Sequence, residues 1–375
     1  MDFKGRLEQA RKKMRERGVG LIYLHRGADL FYLTGISRGG PEMTDHNTYG
    51  DYVQGAYIGA DDLFVLVGPR MGGSRWKAMV EDKPYIDDLR IVGESETPKK
   101  VMGEVLARFK LNGAGVMVDD RAWSHATLLL KEHLPGCKLS LANEIISPMR
   151  MIKDADEIAT MKKAGEITDK VYGEVVNYLK RGQTEVEIVS EIDYQFKRHG
   201  AMYSSFVSAA RFRSPKEHPG KRVLSEDDVI SFDFGCVYEG YCSDFGRIVY
   251  VGDPPEKVRE IHDKVMKAQA AGIEKMVDGT ITAQELDRVA RGIIEEAGYG
   301  PNFVHRLGHG IGVTVHEPPF LYIPDDTLLR TGMCFTVEPS IMLPQSWSAR
   351  VEDVVMVTEK GGVPFSNYHK ELTII

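Results

Sequence analysis

The sequence predicts two domains of different fold class, an α/β domain followed by an α+β domain. In the first part of the chain, strand patterns alternate with helix patterns, which is typical of an open α/β layer. In the second part, two helix patterns precede two antiparallel strand patterns, and this order occurs twice, over residues 155–250 and 256–358. The chain has 375 residues, enough for two cores, and we place the domains at 1–147 and 148–375.

Composition and charge exclude several classes of function. The formal net charge is −7 at pH 7, which gives no reason to expect nucleic acid or an anionic membrane as a partner. No apolar run approaches the roughly 20 residues that a membrane helix needs, and the N-terminus has no apolar signal core. The four cysteines form no C-x-x-C pair, which argues against a structural thiolate zinc site. We therefore expect a cytoplasmic protein with reduced thiols.

The elements of the first domain follow from the spacing of apolar residues. Helical spacing predicts an amphipathic helix over residues 4–18, and an apolar run predicts the first strand over 19–24. Further strands are expected at 55–59, 63–68, 89–93 and 114–118, and helices at 98–109 and 124–133. No G-x-G-x-x-G sequence follows the first strand, so the pattern gives no support for a dinucleotide site.

Residues 36–52 form an unusual stretch between the first two strands. The segment is mostly polar and glycine-rich, and it crowds together acids, a histidine and tyrosines. Long loops of this kind are often functional, although a solvated surface loop is the simpler interpretation. Both interpretations stay open at the level of the sequence.

The second domain begins near Pro148, which is expected to interrupt the preceding pattern. Asp154 is placed to cap the helix that follows. The expected helices lie at 155–179, 184–200, 255–276 and 283–297. The expected strands lie in a hairpin at 229–247 and in a second pair at 333–342 and 350–359. Each pair of helices is therefore followed by a pair of strands.

The first hairpin carries two aspartates. If Tyr238 and Glu239 are the turn residues, Asp233 lies opposite Asp244, with Cβ atoms roughly 4.5–5.5 Å apart. Two carboxylates at this distance repel each other, and strand interiors disfavour aspartate. A proton or a cation would compensate for both penalties. The alternative is a pair of solvated acids on an exposed face.

A second pair of acids occurs in the second set of strands. If the loop centres on Gln345, Glu338 faces Glu352. Between the two hairpins, three histidines fall within 12 residues, next to glycines that let the backbone pass close to a ligand. These histidines are His305, His309 and His316. Each half of the domain therefore contributes one pair of carboxylates, with imidazoles between them in sequence.

Four carboxylates and one imidazole suit divalent cations. Four acids exceed what one ion normally requires, and two ions roughly 3.5–4 Å apart, bridged by acids and a water, fit better. Such a pair of ions lowers the pKa of the bridging water and supplies hydroxide at neutral pH. Taken singly, Glu352 could be a surface acid and His309 a satisfied core histidine. Their occurrence at ordered positions in two matching hairpins favours the metal interpretation.

With these motifs in place, the chain resembles the pita-bread metallopeptidases, which include methionine aminopeptidase, aminopeptidase P and prolidase, together with creatinase. In the second domain the resemblance rests on Asp233-Phe234-Gly235, Ser243-Asp244, His309-Gly310-Ile311-Gly312, Val337-Glu338-Pro339 and Arg350-Val351-Glu352-Asp353. Residues 30–35 match the "YLTG" signature of the creatinase/prolidase N-terminal domain. Residues 149–158 resemble the family's "R-x-I-K-x-x-x-E-I" motif at the domain junction. The resemblance covers the whole chain.

The resemblance implies a fold and a metal site. The fold would be an α/β domain of creatinase/prolidase N-terminal type, followed by an α+β pita-bread domain with a pseudo-two-fold repeat around a curved antiparallel sheet. The implied ligands of two divalent metal ions are Asp233, Asp244, His309, Glu338 and Glu352, with Asp244 and Glu352 bridging both ions. The ions would be Mn, Co, Zn or Fe, all of which accept this ligand set. Creatinase has the fold without these ligands, so their presence favours a metal hydrolase.

The resemblance also assigns roles to other residues. Glu338 would serve as general base toward the bridging water. His305 would line the substrate pocket on the leaving-group side. His316 would hydrogen-bond the substrate carbonyl or tetrahedral intermediate, which places a donor at the developing oxyanion. Arg350 would orient the carboxylates that hold the metals.

The segment before the first metal aspartate departs from the family pattern. Prolidases and aminopeptidases P have a catalytic histidine in a Pro-His step there, and His218 is the candidate in this chain, slightly closer to Asp233 than usual. The family's Gly-x-Asn sequence is replaced by residues 209–213. Arg211 and Arg213 could bind a substrate carboxylate or lie in a solvated turn, and both interpretations stay open.

These features predict an Xaa-Pro dipeptidase, or prolidase, in which a metal-bridging hydroxide attacks the carbonyl before proline with help from His218 and His316. The alternatives on the same scaffold are an aminopeptidase P-like peptidase and a hydrolase of a non-peptide C–N bond in a small zwitterion, similar to ectoine hydrolase. A binding protein without catalysis is a third alternative. The family also implies a homodimer in which the N-terminal domain of one subunit borders the other's active site, and we expect residues 36–52 to reach that pocket.

Overall fold

The described part of the chain forms two compact units, Met1–Arg150 and Met151–Ile375. The computed structural model describes residues 1–37, 49–204, 209–212, 222–344 and 346–375, and every structural statement below concerns these residues. None of the helices in this part of the chain is both long enough and apolar enough to cross a membrane.

The first unit is built around one mixed sheet of six strands. Its elements are α1 (Phe3–Glu16), β1 (Val19–Leu24), α2 (Ala28–Thr34), β2 (Gly55–Gly59), β3 (Phe64–Pro69), α3 (Gly73–Val80), β4 (Asp88–Val92), α4 (Pro98–Leu106), β5 (Gly115–Val118), α5 (Ser124–His133), β6 (Leu139–Leu141) and α6 (Asn143–Met151). The strand order is β4-β3-β2-β1-β5-β6, with β1 antiparallel to β2 and parallel to β5. Strands β1, β2 and β3 are buried along nearly their whole length, as their continuous apolar runs predict.

The predicted strands and helices of this unit are present, with ends within a few residues of those expected. The short elements α2, α3, α6 and β6 were not predicted. Helices of so few residues are marginal on their own, and α2 and α6 gain stability from several buried side chains, whereas α3 buries only Trp76. The residues of the "YLTG" signature lie on α2 and at its end, where Gly35 adopts a left-handed conformation with φ of 68°.

Pro148 does not interrupt the chain as expected. It lies inside α6, which continues past it. A proline within a helix removes one backbone hydrogen bond, but α6 buries Ile145 and Ile146, and this packing holds the helix. The chain divides into its two compact units between Arg150 and Met151, slightly beyond the boundary placed from the sequence.

The second unit contains two halves with the same order of elements, two helices followed by two strands, around a mainly antiparallel sheet of nine strands. Its elements are α7 (Ala155–Tyr178), α8 (Glu185–Arg198), β7 (Tyr203–Ser204), β8 (Ala209–Phe212), β9 (Val229–Phe234), β10 (Cys236–Tyr238), β11 (Tyr241–Cys242), β12 (Phe245–Tyr250), α9 (Glu256–Lys275), α10 (Ala283–Glu296), β13 (Gly308–Gly310), β14 (Glu317–Leu321), β15 (Cys334–Val337), β16 (Ser340–Met342), β17 (Ser348–Arg350), β18 (Glu352–Thr358), β19 (Gly361–Pro364) and β20 (Thr373–Ile374). The order along the large sheet is β14-β13-β15-β18-β12-β9-β8, with β19 on β18 and β20 on β12. Helices α7 and α8 precede β9 and β12, and helices α9 and α10 precede β15 and β18, which confirms the repeated plan.

The long helices of the second unit begin where the sequence predicts. The Asp154 carboxylate accepts from the backbone N–H of Glu157, and the Glu157 carboxylate accepts from the backbone N–H of Asp154, which completes a capping box at the start of α7. Helices α8 and α10 begin with the same motif, at Thr184 and Thr282. A capping box satisfies backbone donors that a helix leaves unpaired at its N-terminus. Local sequence therefore fixes the start of these three helices.

An aromatic core places the first hairpin on its helices. The ring of Tyr172 on α7 lies 5.5 Å from that of Phe232 and 5.0 Å from that of Phe245, between ring centroids. Phe232 and Phe234 are buried on one face of β9. Because successive side chains of a strand point to opposite faces, Asp233 is held on the other face of the sheet.

The register of the first hairpin differs from the predicted one. Tyr238 pairs with Tyr241, so Glu239 and Gly240 are the turn residues. Both have positive φ, 45° and 88°, as a two-residue type I′ turn requires. The prediction assigned the turn to Tyr238 and Glu239, one residue earlier, although glycine is the residue that most readily adopts a positive φ.

The shifted register changes which residues face the two aspartates. Asp233 on β9 lies opposite Gly246 on β12, not opposite Asp244. The prediction that the aspartates face each other directly is therefore wrong. They are diagonal neighbours across the hairpin, a relationship that still brings longer side chains within reach of each other.

The register of the second hairpin is confirmed. Val337 pairs with Asp353, and Ser340 pairs with Arg350. Glu338 and Glu352 lie between these two pairs, one on each strand, and therefore face each other. The expected centre of the loop, residue 345, lies outside the described residues.

Candidate metal centre

The two halves of the second unit meet at Gly246. This residue of β12 pairs with Asp233 on β9 on one side and with Glu352 on β18 on the other. A Cβ atom at position 246 would lie 2.8 Å from Oε2 of Glu352 and 3.0 Å from Cδ of Arg350. Glycine at this position therefore lets acidic side chains from both halves converge.

A cavity of about 820 Å³ opens at this point. It is lined by Asp233, Asp244, His305, Arg306, His309, Val315, His316, Tyr322, Glu338, Met342, Arg350 and Glu352. The structure thus brings together the five residues predicted as metal ligands. It also places His305, His316 and Arg350 on the same walls.

The potential ligand atoms lie close to one another. One ligand atom each from Asp244, His309 and Glu352 falls within 4.8 Å of the others. Nε2 of His309 is 3.3 Å from Oε1 of Glu338 and 3.7 Å from Oδ2 of Asp244. Asp244, Glu338, Glu352 and His309 are all buried. These separations are compatible with several donors around a cation.

The imidazole of His309 is oriented by its neighbours. Its Nδ1 lies 3.0 Å from the carbonyl oxygen of Gly310, to which it donates in the neutral tautomer that this contact selects. The Nε2 lone pair then faces the carboxylates. Burial, with a smaller effect of His316, lowers the pKa of His309 to about 3. The ring is therefore neutral at physiological pH, as a metal ligand must be.

Thr336 links the histidine to one of the acids. The backbone N–H of His309 donates to Oγ1 of Thr336 at 3.1 Å, and this hydroxyl donates to Oε1 of Glu338 at 3.1 Å. The side chain of Thr336 is fully buried on β15. This contact fixes the position of Glu338 relative to the strand that carries His309.

The buried acids lack sufficient positive charge in their own surroundings. Burial, followed by repulsion from neighbouring carboxylates, raises the pKa of Asp244 and of Glu352 well above their ordinary values. Burial also raises the pKa of Glu338 to about 7. Within the described part of the chain, Oε2 of Glu352 is buried without a hydrogen-bond partner. A cation among these oxygens would relieve both the charge repulsion and the missing contact, so the residues fit a divalent metal site.

Arg350 is a cation on the wall of this cluster. Its guanidinium forms an ion pair with Asp233 and lies 3.4 Å from Oε2 of Glu338 and 3.7 Å from Oε2 of Glu352. Its Nε donates to Oγ of Ser340 at 3.0 Å. Burial alone lowers the pKa of Arg350, but the surrounding carboxylates, led by Asp233, raise it above its ordinary value. One guanidinium orients these acids but does not balance four of them.

The other two histidines flank the acids. Nε2 of His305 lies 3.4 Å from Nη2 of Arg350, and burial, with the charge of Arg350, lowers the pKa of His305 to about 4. The ring of His316 packs edge-on against that of His309, with centroids 4.0 Å apart. His316 is exposed to the cavity. Its free edge is available to a bound substrate.

Arg306 is a cavity residue that the sequence analysis missed. Its guanidinium lies over the ring of Phe320, 4.7 Å from the centroid. Among the described residues, no carboxylate lies within ion-pairing distance of it, in contrast to Arg350. Its place between His305 and His309 in the sequence was the signal that could have found it.

A charged pair on α10 holds the segment that carries His305 and Arg306. Arg291 forms two hydrogen bonds with the carboxylate of Asp287, of 2.7 and 3.0 Å. Arg291 also donates to the carbonyl oxygen of His305 at 2.8 Å, while Asp287 accepts from the backbone N–H of Leu307 at 2.9 Å. The backbone of this cavity wall is therefore tied to the helix behind it.

The side chains of one predicted catalytic residue and two predicted substrate-binding residues lie outside the described part of the chain. His218 and Arg213 lie outside the described residues, as do residues 38–48 of the unusual loop. Arg211 belongs to β8, and its backbone pairs with Ser231 on β9, but its side chain lies outside the described part. Their predicted roles stay predictions.

Comparison with known proteins agrees with this arrangement. Residues 159–359 match the profile of Metallopeptidase family M24, and residues 6–152 match that of the Creatinase/Prolidase N-terminal domain. The chain is 32% identical to YkvY of Bacillus subtilis (strain 168) over 99% of both chains. It is 40% identical to the Xaa-Pro dipeptidase of Lactobacillus delbrueckii subsp. lactis, over 62% of this chain and 64% of that protein.

A solved structure is similar over the full length of the chain. The recombinant prolidase from Thermococcus sibiricus covers 100% of both chains, with 31% identity and a TM-score of 0.89. This similarity confirms the predicted fold class, a creatinase/prolidase-type α/β domain followed by an α+β pita-bread domain.

Proposed function

Because the chain belongs to metallopeptidase family M24, we propose that it is a two-metal Xaa-Pro dipeptidase that hydrolyses the peptide bond before proline. The observation that carries this proposal is the convergence of four carboxylates and the neutral imidazole of His309 in one cavity. Three of these carboxylates, those of Asp244, Glu338 and Glu352, are buried, and buried acids are costly unless a cation accompanies them. A catalytic role explains why the fold accepts that cost.

The proposed ligands are the five residues that sequence and structure bring together, namely Asp233, Asp244, His309, Glu338 and Glu352. Asp244 and Glu352 are the proposed bridging ligands. When bound, two divalent ions would lower the pKa of a water molecule between them and so supply a nucleophile at neutral pH. Carboxylate and imidazole donors without thiolates suit Mn, Co, Zn or Fe.

The remaining cavity residues supply proton transfer and orientation. Glu338 takes a proton from the attacking water and passes it to the leaving imino nitrogen of proline. Thr336 and Arg350 hold its two oxygens in place for this step. His316 donates a hydrogen bond to the oxygen of the scissile carbonyl, where negative charge develops. His305 lines the side of the pocket that receives the leaving group.

Arg306 supports a dipeptide as the substrate. A dipeptide carries a free carboxylate one residue beyond the scissile bond, and a guanidinium binds a carboxylate with two parallel hydrogen bonds. Arg350 is occupied by the acids of the site, whereas Arg306 presents its charge to the same cavity. We assign Arg306 to the substrate carboxylate, in addition to the predicted Arg211 and Arg213.

A hydrolysis panel with the metal-reconstituted protein tests the proposed function. The panel contains Xaa-Pro dipeptides, longer peptides with proline in the second position, and small cyclic amides. Faster cleavage of the dipeptides supports the proposal. Faster cleavage of the longer peptides identifies an aminopeptidase P-like enzyme instead. Cleavage of only the cyclic amides identifies a hydrolase of non-peptide C–N bonds, and no metal uptake identifies a binding protein.

We also propose that the protein is a cytoplasmic homodimer in which residues 36–52 of one subunit border the active site of the other. The family resemblance supports this arrangement, and the polar, glycine-rich composition of the loop is consistent with a functional role. Light scattering in solution tests the oligomeric state. A monomer at micromolar concentration with full activity would contradict it.

A further inference from the structure

A buried ion pair lies beside the cavity without lining it. Nζ of Lys153 is 2.8 Å from Oε1 of Glu317, and the two side chains are only 2% and 4% exposed. Removing both charges from water carries a large desolvation penalty, so such a pair is often no more stabilising than apolar residues of similar volume. Stability alone is therefore a weak reason for its presence, and its position suggests another.

The pair lies inside the loop that carries His316. Glu317 directly follows His316 and begins β14. The single hydroxyl proton of Thr314 is shared between two acceptors, with Oγ1 lying 3.2 Å from Oε2 of Glu317 and 3.1 Å from the carbonyl oxygen of His316. The loop is thus closed around the Glu317 carboxylate, and the backbone of His316 is part of that closure.

The backbone of the same loop rests directly on the pair. A Cβ atom at Gly312 would lie 2.8 Å from Oε1 of Glu317 and 3.1 Å from Cε of Lys153. Glycine at this position therefore lets the loop pass over the two charges without displacing them. On its other side, the carbonyl oxygen of Gly312 accepts from the backbone N–H of Cys242 at 2.8 Å, next to the strand end that bears Asp244.

Lys153 is itself held firmly at the start of the second unit. Its backbone N–H donates to the carbonyl oxygen of Gly332 at 2.9 Å, and the capping box of α7 follows it directly. Within that box, Glu157 accepts a hydrogen bond from the hydroxyl of Tyr241 at the first hairpin, at 2.9 Å. The junction segment therefore contacts both the hairpin of the aspartates and the loop of His316.

We propose that the Lys153–Glu317 ion pair is a positioning device that sets His316 against the scissile carbonyl. Neither residue touches the substrate in this role. Lys153 supplies a fixed positive charge, Glu317 docks on it, and the loop brings His316 to a ring contact of 4.0 Å with His309. The kinetic consequence rests on the proposed peptidase function, whereas the structural consequence does not.

The informative variant removes both charges together. Either single substitution leaves one charge buried without its partner and is expected to impair folding. The double variant Lys153→Met/Glu317→Gln keeps the side-chain volumes and is expected to fold and to bind metal at the wild-type stoichiometry. We expect its kcat on an Xaa-Pro dipeptide to fall about 10- to 100-fold with little change in KM, since a displacement of about 1 Å has this scale of effect.

A double-mutant cycle with His316→Ala separates positioning from a general structural role. If the pair acts through His316, the charge-free variant causes no further loss of kcat in the His316→Ala background. If the fold-losses of kcat from the charge-free pair and from His316→Ala multiply in the combined variant, the proposal is overturned. Ile192→Val, a conservative change in the buried core, controls for a simple loss of stability and is expected to leave kcat unchanged.

A crystal structure of the double variant gives a result that does not depend on activity. We expect the ring of His316 to leave its contact with His309. An unchanged ring contact would overturn the positioning role, whatever the kinetics. If the wild-type protein hydrolyses nothing on the panel, the proposed function fails, while this structural comparison still decides the role of the pair.

Discussion

Arg350 forms an ion pair with Asp233, which lies 117 residues earlier in the chain, in the other half of the second unit. The same guanidinium lies 3.4 Å from an oxygen of Glu338. It therefore joins carboxylates of both hairpins and fixes their orientation around the proposed metals. Its single positive charge offsets only part of their negative charge, which is consistent with the proposed metal site.

Replacing Arg350 tests this orienting role. Arg350→Met removes the fork that holds Asp233 and Glu338 while leaving the metal donors in place. We expect kcat/KM on an Xaa-Pro dipeptide to fall about 10- to 100-fold, as is usual when a partner of a metal ligand is lost. Arg350→Lys keeps the positive charge without the planar guanidinium, and its kcat/KM is expected to lie between those of wild type and Arg350→Met. Wild-type kinetics in Arg350→Met would contradict the role.

Asp244→Asn is expected to abolish turnover while the fold persists. An amide at this position cannot supply the negative charge of the proposed bridging ligand. Because burial and neighbouring charges raise the pKa of Asp244, ionising this residue costs stability in the metal-free protein. We therefore expect metal-free Asp244→Asn to unfold at a temperature no lower than metal-free wild type, by calorimetry. Added Mn²⁺ should raise the unfolding temperature of wild type but not of the variant.

Arg306 is expected to select substrates with a free carboxylate. Arg306→Met should raise KM for an Xaa-Pro dipeptide about 10- to 100-fold, the scale of a lost charge-assisted hydrogen bond. The matched control is the same dipeptide with a C-terminal amide, whose KM should hardly change between wild type and variant. An equal loss for acid and amide would show that Arg306 acts on the fold or the metals instead.

Asp287 on α10 is expected to be important for stability. Asp287→Ala leaves the guanidinium of Arg291 without its carboxylate and frees the backbone N–H of Leu307. We expect the free energy of unfolding to fall by about 3 kcal/mol. Arg288→Ala, an exposed change on the same helix, should stay within about 0.5 kcal/mol of wild type. Urea denaturation measures the free energy of unfolding of both variants. Equal values would contradict the stabilising role of Asp287.

Asp119 in the first unit is expected to make stability depend on pH. Burial raises the pKa of Asp119 to about 7, so the folded protein keeps a proton that the unfolded chain releases near pH 4. The contribution of Asp119 to the free energy of unfolding is therefore fully present below about pH 4. It is lost as the pH rises through about 7, and the total loss is up to about 4 kcal/mol. Asp119→Asn should flatten that slope. Parallel slopes in wild type and variant, from urea denaturation between pH 5 and 8, would contradict the assignment.

Much of the site could be predicted because its residues lie in short hairpins whose registers follow from turns. For the second hairpin, counting from the loop centre placed Glu338 opposite Glu352, and the flanking pairs confirm it. For the first hairpin the count was wrong, since the turn falls on Glu239 and Gly240, one residue later than the predicted Tyr238 and Glu239. The error moved the partner of Asp233 but kept both aspartates on one face, because a shift by two residues preserves the alternation of a strand.

Other features depend on contacts between distant segments, which periodicity does not reveal. The short helices α2 and α6 bury several side chains each, and Pro148 is tolerated within α6 for that reason, whereas α3 buries only Trp76. The ion pair of Lys153 and Glu317 joins residues 164 positions apart. Arg306 was identified as a candidate only from the structure, which shows that Arg350 already has carboxylate partners in the cavity.

Metal dependence of dipeptide hydrolysis is the most direct test of the two-metal site. Metal-free protein is titrated with Mn²⁺ while the hydrolysis of an Xaa-Pro dipeptide is followed, with Asp244→Asn as the matched control. The account predicts activity that is absent without metal, saturates at two ions per chain and is lost in the variant. Full hydrolysis by the metal-free protein, or by Asp244→Asn, would contradict it.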